Sequence, residues 1–283
     1  MSAMTPVAAA PFGQPTQRRH HGRNHHWTRT RRGIWAIRAV TLVALLSVWQ
    51  LVGSGVNSAI LVPPTAVAQA FYDLAIASPQ LFDAAVVSAR AFAIGYLAAI
   101  LVGVTIGLIM GRNRRVDAVL DPWVFFLYAI PTIALIPLLV LWFGIDDLVR
   151  VVLVFLSSLF TIIINTAAGV KQVDEDLTDV GRAFCASERQ LTQKIILPAA
   201  FPYIFAGIRI ALSQAIVGVI GAEFLVVITG LGGMILTFAN SFETARMFVP
   251  IIAIVFLSLC MSTLMNRAQR RINRWQYVPD DEP

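Results

Sequence analysis

Charge is what this sequence has least of. Of its 283 residues, 13% are charged and 57% are hydrophobic, whereas a soluble domain carries about a quarter charged residues. That leaves too little polar surface to clothe a water-soluble globule, and the composition points to a membrane protein. Cysteine is equally scarce: Cys185 and Cys260 fall in segments placed below on or near the cytoplasmic side, so no disulfide framework is implied. The four histidines, His20, His21, His25 and His26, all sit near the N-terminus, and no span carries a His, Cys or acid cluster at metal-ligand spacing. The only lysines, Lys171 and Lys194, are followed by Gln172 and Ile195. A G-x-x-x-x-G-K-[ST] phosphate loop is therefore absent, and with it that route to ATP hydrolysis. No nucleophile, acid–base or metal set emerges, so a chain without catalytic residues or a cofactor of its own is expected. The net charge of +6 does not imply a nucleic-acid partner, because the basic residues lie at the ends of apolar runs.

What the sequence has in quantity is long apolar runs. A helix crossing a hydrocarbon core of about 30 Å needs about 20 apolar residues. Six segments meet that length: Ile34–Gly53, Ala91–Gly111, Pro122–Ile145, Val151–Val170, Tyr203–Ile228 and Met247–Asn266. The second, third, fourth and sixth contain no charged residue. In lipid the backbone must satisfy its own hydrogen bonds, which makes these segments helices. The fold class expected is all-α, a polytopic membrane protein with six transmembrane helices.

The basic residues set the orientation. They cluster in the N-terminal stretch up to the start of the first span (from Arg18 to Arg38), between spans two and three (Arg112, Arg114, Arg115), between four and five (Lys171, Arg182, Arg189, Lys194) and after six (Arg267, Arg270, Arg271, Arg274). The opposite connections hold only Arg90, Arg150 and Arg246. Both termini are thus expected in the cytoplasm. Residues 1–32 read as a disordered basic cytoplasmic tail, 33–275 as the six-helix domain, and 276–283 as a short cytoplasmic C-terminal tail. The tail's Arg- and His-rich run fits a topogenic role or contact with metal or anionic lipid headgroups. After span one, Pro63-Pro64-Thr65 leads into Ala66–Ala77, either an interfacial helix or a linker.

The connection 171–201 is far longer than a helix–helix turn. Asp174-Glu-Asp opens it with acids, and Leu177, Val180, Ala183 and Phe184 follow near one helical face. Ser187-Glu-Arg-Gln190 is an S-x-x-Q capping box, after which Leu191 and Ile195 supply an apolar face. Pro198 and Pro202 are expected to end this second helix before span five. The loop reads as a helix-turn-helix presenting a firm surface to a cytoplasmic partner.

Its residues resemble a known family. Asp179-Val-Gly-Arg-Ala-Phe-Cys-Ala-Ser-Glu-Arg-Gln-Leu-Thr-Gln-Lys-Ile-Ile-Leu-Pro198 is similar to the E-A-A-x3-G-x9-I-x-L-P coupling loop of binding-protein-dependent ABC importer permeases. Nine residues separate Cys185 from Ile195, and Leu197-Pro198 closes the motif. Asp179-Val180-Gly181 stands where the family has Glu-Ala-Ala, and Cys185 where it has the turn glycine. If that turn needs a positive φ, Cys185 adopts it at a cost. Leu120-Asp-Pro122, Ala129-Ile-Pro131, Ala134-Leu-Ile-Pro137, Leu141-Trp-Phe-Gly144, Asn165-Thr166, Gly207-Ile-Arg209, Ala222-Glu223 and Gly230-Leu-Gly232 resemble the nitrate/taurine/aliphatic-sulfonate branch. The resemblance implies a permease subunit importing a small solute, with an aliphatic sulfonate, taurine or nitrate-like anion foremost and another small organic solute as the alternative. It implies as partners two ATPase subunits carrying ATP and Mg, an extracytoplasmic solute-binding protein and a second permease copy, beside the membrane lipid. The coupling residues it implies are Asp179, Val180, Gly181, Cys185, Ala186, Ser187, Ile195, Leu197 and Pro198.

Candidates for the translocation pathway are Glu223, Pro131, Pro137 and Asn165. Glu223 is the one acid inside a proposed span, costing roughly 2.5–3.5 kcal/mol at mid-helix unless it faces a cavity or partner. It reads either as a pathway or gate residue or as a packing pair with a basic residue such as Arg90. Pro131 and Pro137 each remove a backbone donor and are expected to kink span three, shaping a path or serving architecture alone. Gly103, Gly107 and Gly111 form a small-xxx-small face suited to packing within the subunit or to subunit contact. Arg209 snorkels to the cytoplasmic surface. A self-contained secondary carrier is the rival, and it predicts several ionisable groups at membrane depth where this chain offers one.

Overall fold

A computed structural model describes residues 31–226 and 229–272. The expected tails, apart from Arg31 and Arg32, and the end of span five at Val227 and Ile228 lie outside the described residues. Contacts divide the chain after Val48. The first unit holds the start of helix α1 (Arg31–Gly55), and all that follows concerns the second. The elements in order are α2 (Pro64–Ala75), α3 (Gln80–Arg112), α4 (Arg114–Tyr128), α5 (Ile136–Phe143), α6 (Asp147–Lys171), α7 (Glu175–Ala183), α8 (Glu188–Leu191), α9 (Leu197–Leu225), α10 (Gly230–Asn240) and α11 (Thr244–Ile272). No strand occurs among the described residues. Among the described residues five helices are long and apolar enough to cross a membrane, or six if the bent pair α4–α5 counts as one span.

Helices α3, α6 and α9 form the centre. Between apolar helices in lipid, close van der Waals packing replaces the hydrophobic effect, and small residues permit it. The glycine face of α3 meets α6 within the subunit. A Cβ on Gly103 would lie 2.9 Å from Ile162 Cγ2, and one on Gly111 2.5 Å from Val170 Cβ. Across the other face of α6, Gly207 of α9 takes the side chain of Asn165, and Gly169 takes Tyr203. The Tyr96 hydroxyl of α3 donates to the Ile208 carbonyl of α9 at 2.5 Å. A second apolar cluster joins α2 (Ala70, Leu74), the start of α3 (Leu81, Ala84), α10 (Leu231) and α11 (Val249). The expected segment Ala66–Ala77 is the helix α2, with Pro64 in its first turn, where the missing N–H costs nothing.

Two proline expectations are corrected. Span three is not one kinked helix over Pro122–Ile145 but two helical segments, Arg114–Tyr128 and Thr132–Phe143, bent by 82°. Pro131 makes the break, because it lacks a donor and disfavours helical backbone at Ile130 before it. A single 3-10 turn, Thr132–Leu135, then leads into α5. Pro137 kinks nothing, since it occupies the first turn of α5. Pro198 and Pro202 likewise fail to stop the helix after Ser187. A π turn over Thr192–Ile196 carries α8 into α9, with Leu197 N–H donating to Thr192 O. That wider turn accommodates the proline by replacing the usual bond register. Pro198 sits in the first turn of α9, and Pro202 lies inside it.

Candidate functional site

The loop between α6 and α9 is held by its own caps. The Asp174 carboxylate accepts the N–H of Asp176 and starts α7. At the other end of α7, Cys185 N donates to Arg182 O at 2.8 Å and Ala186 N to Gly181 O at 3.1 Å. This crossed pair is a Schellman ending and requires a left-handed residue; Cys185 takes it with φ 57°. The glycine position of the family pattern thus keeps its conformation here with a side chain on it. The capping box forms in full: Gln190 N donates to Ser187 Oγ at 3.3 Å, and Ser187 N to Gln190 Oε1 at 2.8 Å. Gly181 is buried, and a Cβ there would meet the ends of Leu191 and Ile195 at 2.6 and 2.7 Å. Glycine in place of alanine therefore lets α7 lie close on the second helix, an advantage that helix propensity does not show.

The other face of α7 is bare. Leu177, Val180 and Phe184 are exposed, Phe184 at 83%, so among the described residues the apolar row is left uncovered. Asp179 stands beside it, paired with Arg182 at 2.9 Å. Leu197 and Pro198 are half-buried at the join with α9. Arg112, at the end of α3, pairs with Glu188 and donates to Thr192, and Lys171 pairs with Asp117 of α4 at 2.7 Å. Arg112 as a tether of the loop went unread in the sequence, where its only signal was topogenic charge.

At the break in span three lies a cleft of about 490 Å³, bordered by Tyr128, Pro131, Thr132, Ser157, Ser213 and Gln214 among others. Of the four expected pathway residues, only Pro131 borders it. Pro137 lies in α5, and Asn165 is half-buried with its amide donating to Thr161 O at 2.8 Å.

Glu223 is elsewhere and fully buried. Its partner is not Arg90 but Arg150, also buried, with Nη1 3.5 Å from Oε1. Arg90 instead pairs with Asp147 at 3.6 Å, and Asp147 pairs with Arg150. The four charges alternate in sign, so each carboxylate has a cation beside it. Glu223 also accepts the Ser88 hydroxyl at 2.6 Å and the backbone N–H of Gly232 at 2.7 Å, while Leu231 N donates to Ser88 Oγ at 2.9 Å. Arg150 further donates to Thr229 Oγ1 at 3.1 Å. Two open N–H groups of the first turn of α10, those of Leu231 and Gly232, are thus satisfied by side chains from α3 and α9, and the carboxylate complements the helix dipole. Ser88 and Arg150 carried no sequence signal beyond their types, because their partners lie 135 and 73 residues away. Arg209 is exposed and donates to Gln269 near the end of α11.

Comparison with known proteins follows the same lines. The family described as binding-protein-dependent transport system inner membrane component matches residues 99–276. The putative aliphatic sulfonates transport permease protein SsuC of Bacillus subtilis is 32% identical over 244 residues, 86% of this chain and 88% of that protein. The nitrate import permease protein NrtB of Leptolyngbya laminosa is 30% identical, covering 86% and 88%. The taurine transport system permease protein TauC of Escherichia coli is 30% identical, covering 83% and 88%. Among solved structures, an inward-facing MetNI methionine ABC transporter superposes with a TM-score of 0.60 at 15% identity, over 68% of this chain and 96% of that one. This last likeness is one of fold.

Proposed function

Because this chain belongs to the family of binding-protein-dependent transport system inner membrane components and is a multi-pass ABC importer permease, we propose that its cargo is a small anion of the sulfonate, taurine or nitrate type. Relatives named for those three cargoes, each matched over most of its length, support this reading. The chain passes the cargo and hydrolyses nothing. ATP and Mg belong to separate ATPase subunits, a solute-binding protein delivers the cargo from outside, and a second copy of the permease completes the pathway. Both termini and the 171–201 loop face the cytoplasm.

The observation that carries the coupling role is the exposed apolar row Leu177, Val180 and Phe184 on a helix rigidly capped at both ends. Docking on an ATPase groove covers that row, and the π turn makes the loop continuous with α9. A push on α7 is therefore delivered to a membrane span. Asp179 and Ser187 flank the contact, with Val180 in it and Gly181, Cys185, Ala186, Ile195, Leu197 and Pro198 setting its shape. Glu223 we assign to holding α10 in place rather than to contact with cargo.

The test is Phe184→Asp. Removing the central anchor of an interface costs 2 kcal/mol or more, about 30-fold in affinity. Expected is loss of ATPase in pull-downs and of ATP-driven uptake in proteoliposomes, with the permease inserted and its melting unchanged. Wild-type association and uptake would sink the docking assignment.

A further inference from the structure

We propose that the cleft at the Pro131 break is a cargo site within the permease, holding an oxyanion through the uncharged donors of Tyr128, Thr132, Ser213 and Gln214. The proposal rests on the preceding reading of the cargo as a small anion and adds where and by what chemistry the membrane subunit holds it. The break in the backbone is what opens the site. With the helix interrupted at Pro131, α4 and the 3-10 turn bring Tyr128 and Thr132 to its lining, which Ser157 of α6 and Ser213 and Gln214 of α9 complete. Its volume of about 490 Å³ lies within the range of about 300–1,000 Å³ usual for small-molecule sites.

The donors are arranged rather than scattered. The Thr161 hydroxyl donates to Gln214 Oε1 at 2.6 Å. That bond engages one lone pair of the carbonyl and holds the amide, whose nitrogen is a pure donor, at the cleft lining. Ser157 Oγ donates to Leu153 O at 2.7 Å and, sharing the same proton, faces Thr132 Oγ1 at 3.3 Å, so Thr132 accepts there and keeps its own proton for the cleft. No charged residue borders the cleft among the described residues. A cation therefore finds no carboxylate, whereas an oxyanion finds several N–H and O–H groups. Leaving out arginine also suits transport, since a carrier must bind strongly enough to accept its cargo and weakly enough to release it.

The experiment uses the complete importer, with ATPase and binding protein, in proteoliposomes. Labelled taurine, ethanesulfonate and nitrate are the probes, and uptake is measured beside ATP hydrolysis. Wild-type uptake of at least one probe is expected; uptake of none overturns the cargo reading and this site with it. Gln214→Glu keeps the side-chain shape but sets a negative charge against the anion. Expected is a fall in uptake of about tenfold or more while ATP hydrolysis stays within about twofold, so that cargo moved per ATP collapses. A loss of both activities in step, or wild-type cargo per ATP, overturns the site and leaves the cargo reading standing. Should Gln214→Glu not assemble, Thr132→Val combined with Ser213→Ala removes two donors without adding charge, and the same ratio decides.

Discussion

Two short helices, α8 in the 171–201 loop before α9 and α10 just after α9, start in different ways. The first turn of α8 is capped by its own neighbours, Ser187 and Gln190, three residues apart. The first turn of α10 is capped by Ser88 of α3 and Glu223 of α9, the latter tied through Arg150 to α6. A local cap travels with its helix, so the α7–α8 unit keeps its shape when it and the span it runs into are moved together. A cap drawn from distant helices fixes α10 to three spans at once. The difference suits the proposed coupling, which asks for a preformed handle in one region and a braced element in the other.

The comparison is broken most directly at Glu223. Glu223→Ala removes a buried partner of Arg150 and leaves the Gly232 N–H and the Ser88 hydroxyl without their acceptor. Breaking a buried pair from one side costs about 3–5 kcal/mol, so thermal unfolding of the detergent-solubilised permease should fall steeply and recovery with it. A variant as stable as wild type would mean that the network does not brace α10. At the other end, Ser187→Ala deletes a local cap and should cost about 1 kcal/mol. That loss should be visible as faster amide hydrogen exchange in α8 with exchange in α10 unchanged; exchange rising in both would mean the two regions are not independent. The smallest effect belongs to Cys185→Gly. It removes the left-handed strain of an L-residue while adding chain entropy, for a net gain of up to about 1 kcal/mol. Slower exchange at Ala186 is expected, and faster exchange would show that the Cys185 side chain contributes more than its conformation costs.

The same contrast governs what was legible in the sequence. Apolar length alone marked the spans, though not the break in the third; the capping box was readable from residues three apart, α2 only as one of two readings, and the positive φ of Cys185 only as a condition set by the family pattern. The α10 helix was not, because its first turn depends on residues far away in the chain. Nor was the true partner of Glu223, since a buried acid announces that it needs a cation without saying which. Proline misled in both directions. Pro131 breaks its span outright, while Pro198 is absorbed by a π turn, and the outcome turns on whether the neighbouring backbone can shift its hydrogen bonds by one residue. The cleft donors Ser213 and Gln214 were silent too, being ordinary polar residues until the bend at Pro131 places them across from Thr132.

The central claim is that the exposed loop is the cytoplasmic docking point for an ATPase. Cys185 is exposed within that loop, and Cys260 is the only other cysteine. In a Cys260→Ala permease, an impermeant maleimide should label Cys185 rapidly in inside-out vesicles stripped of ATPase, slowly when the ATPase is added back, and not at all in right-side-out vesicles. Labelling from the outside, or labelling unchanged by the ATPase, would contradict the account.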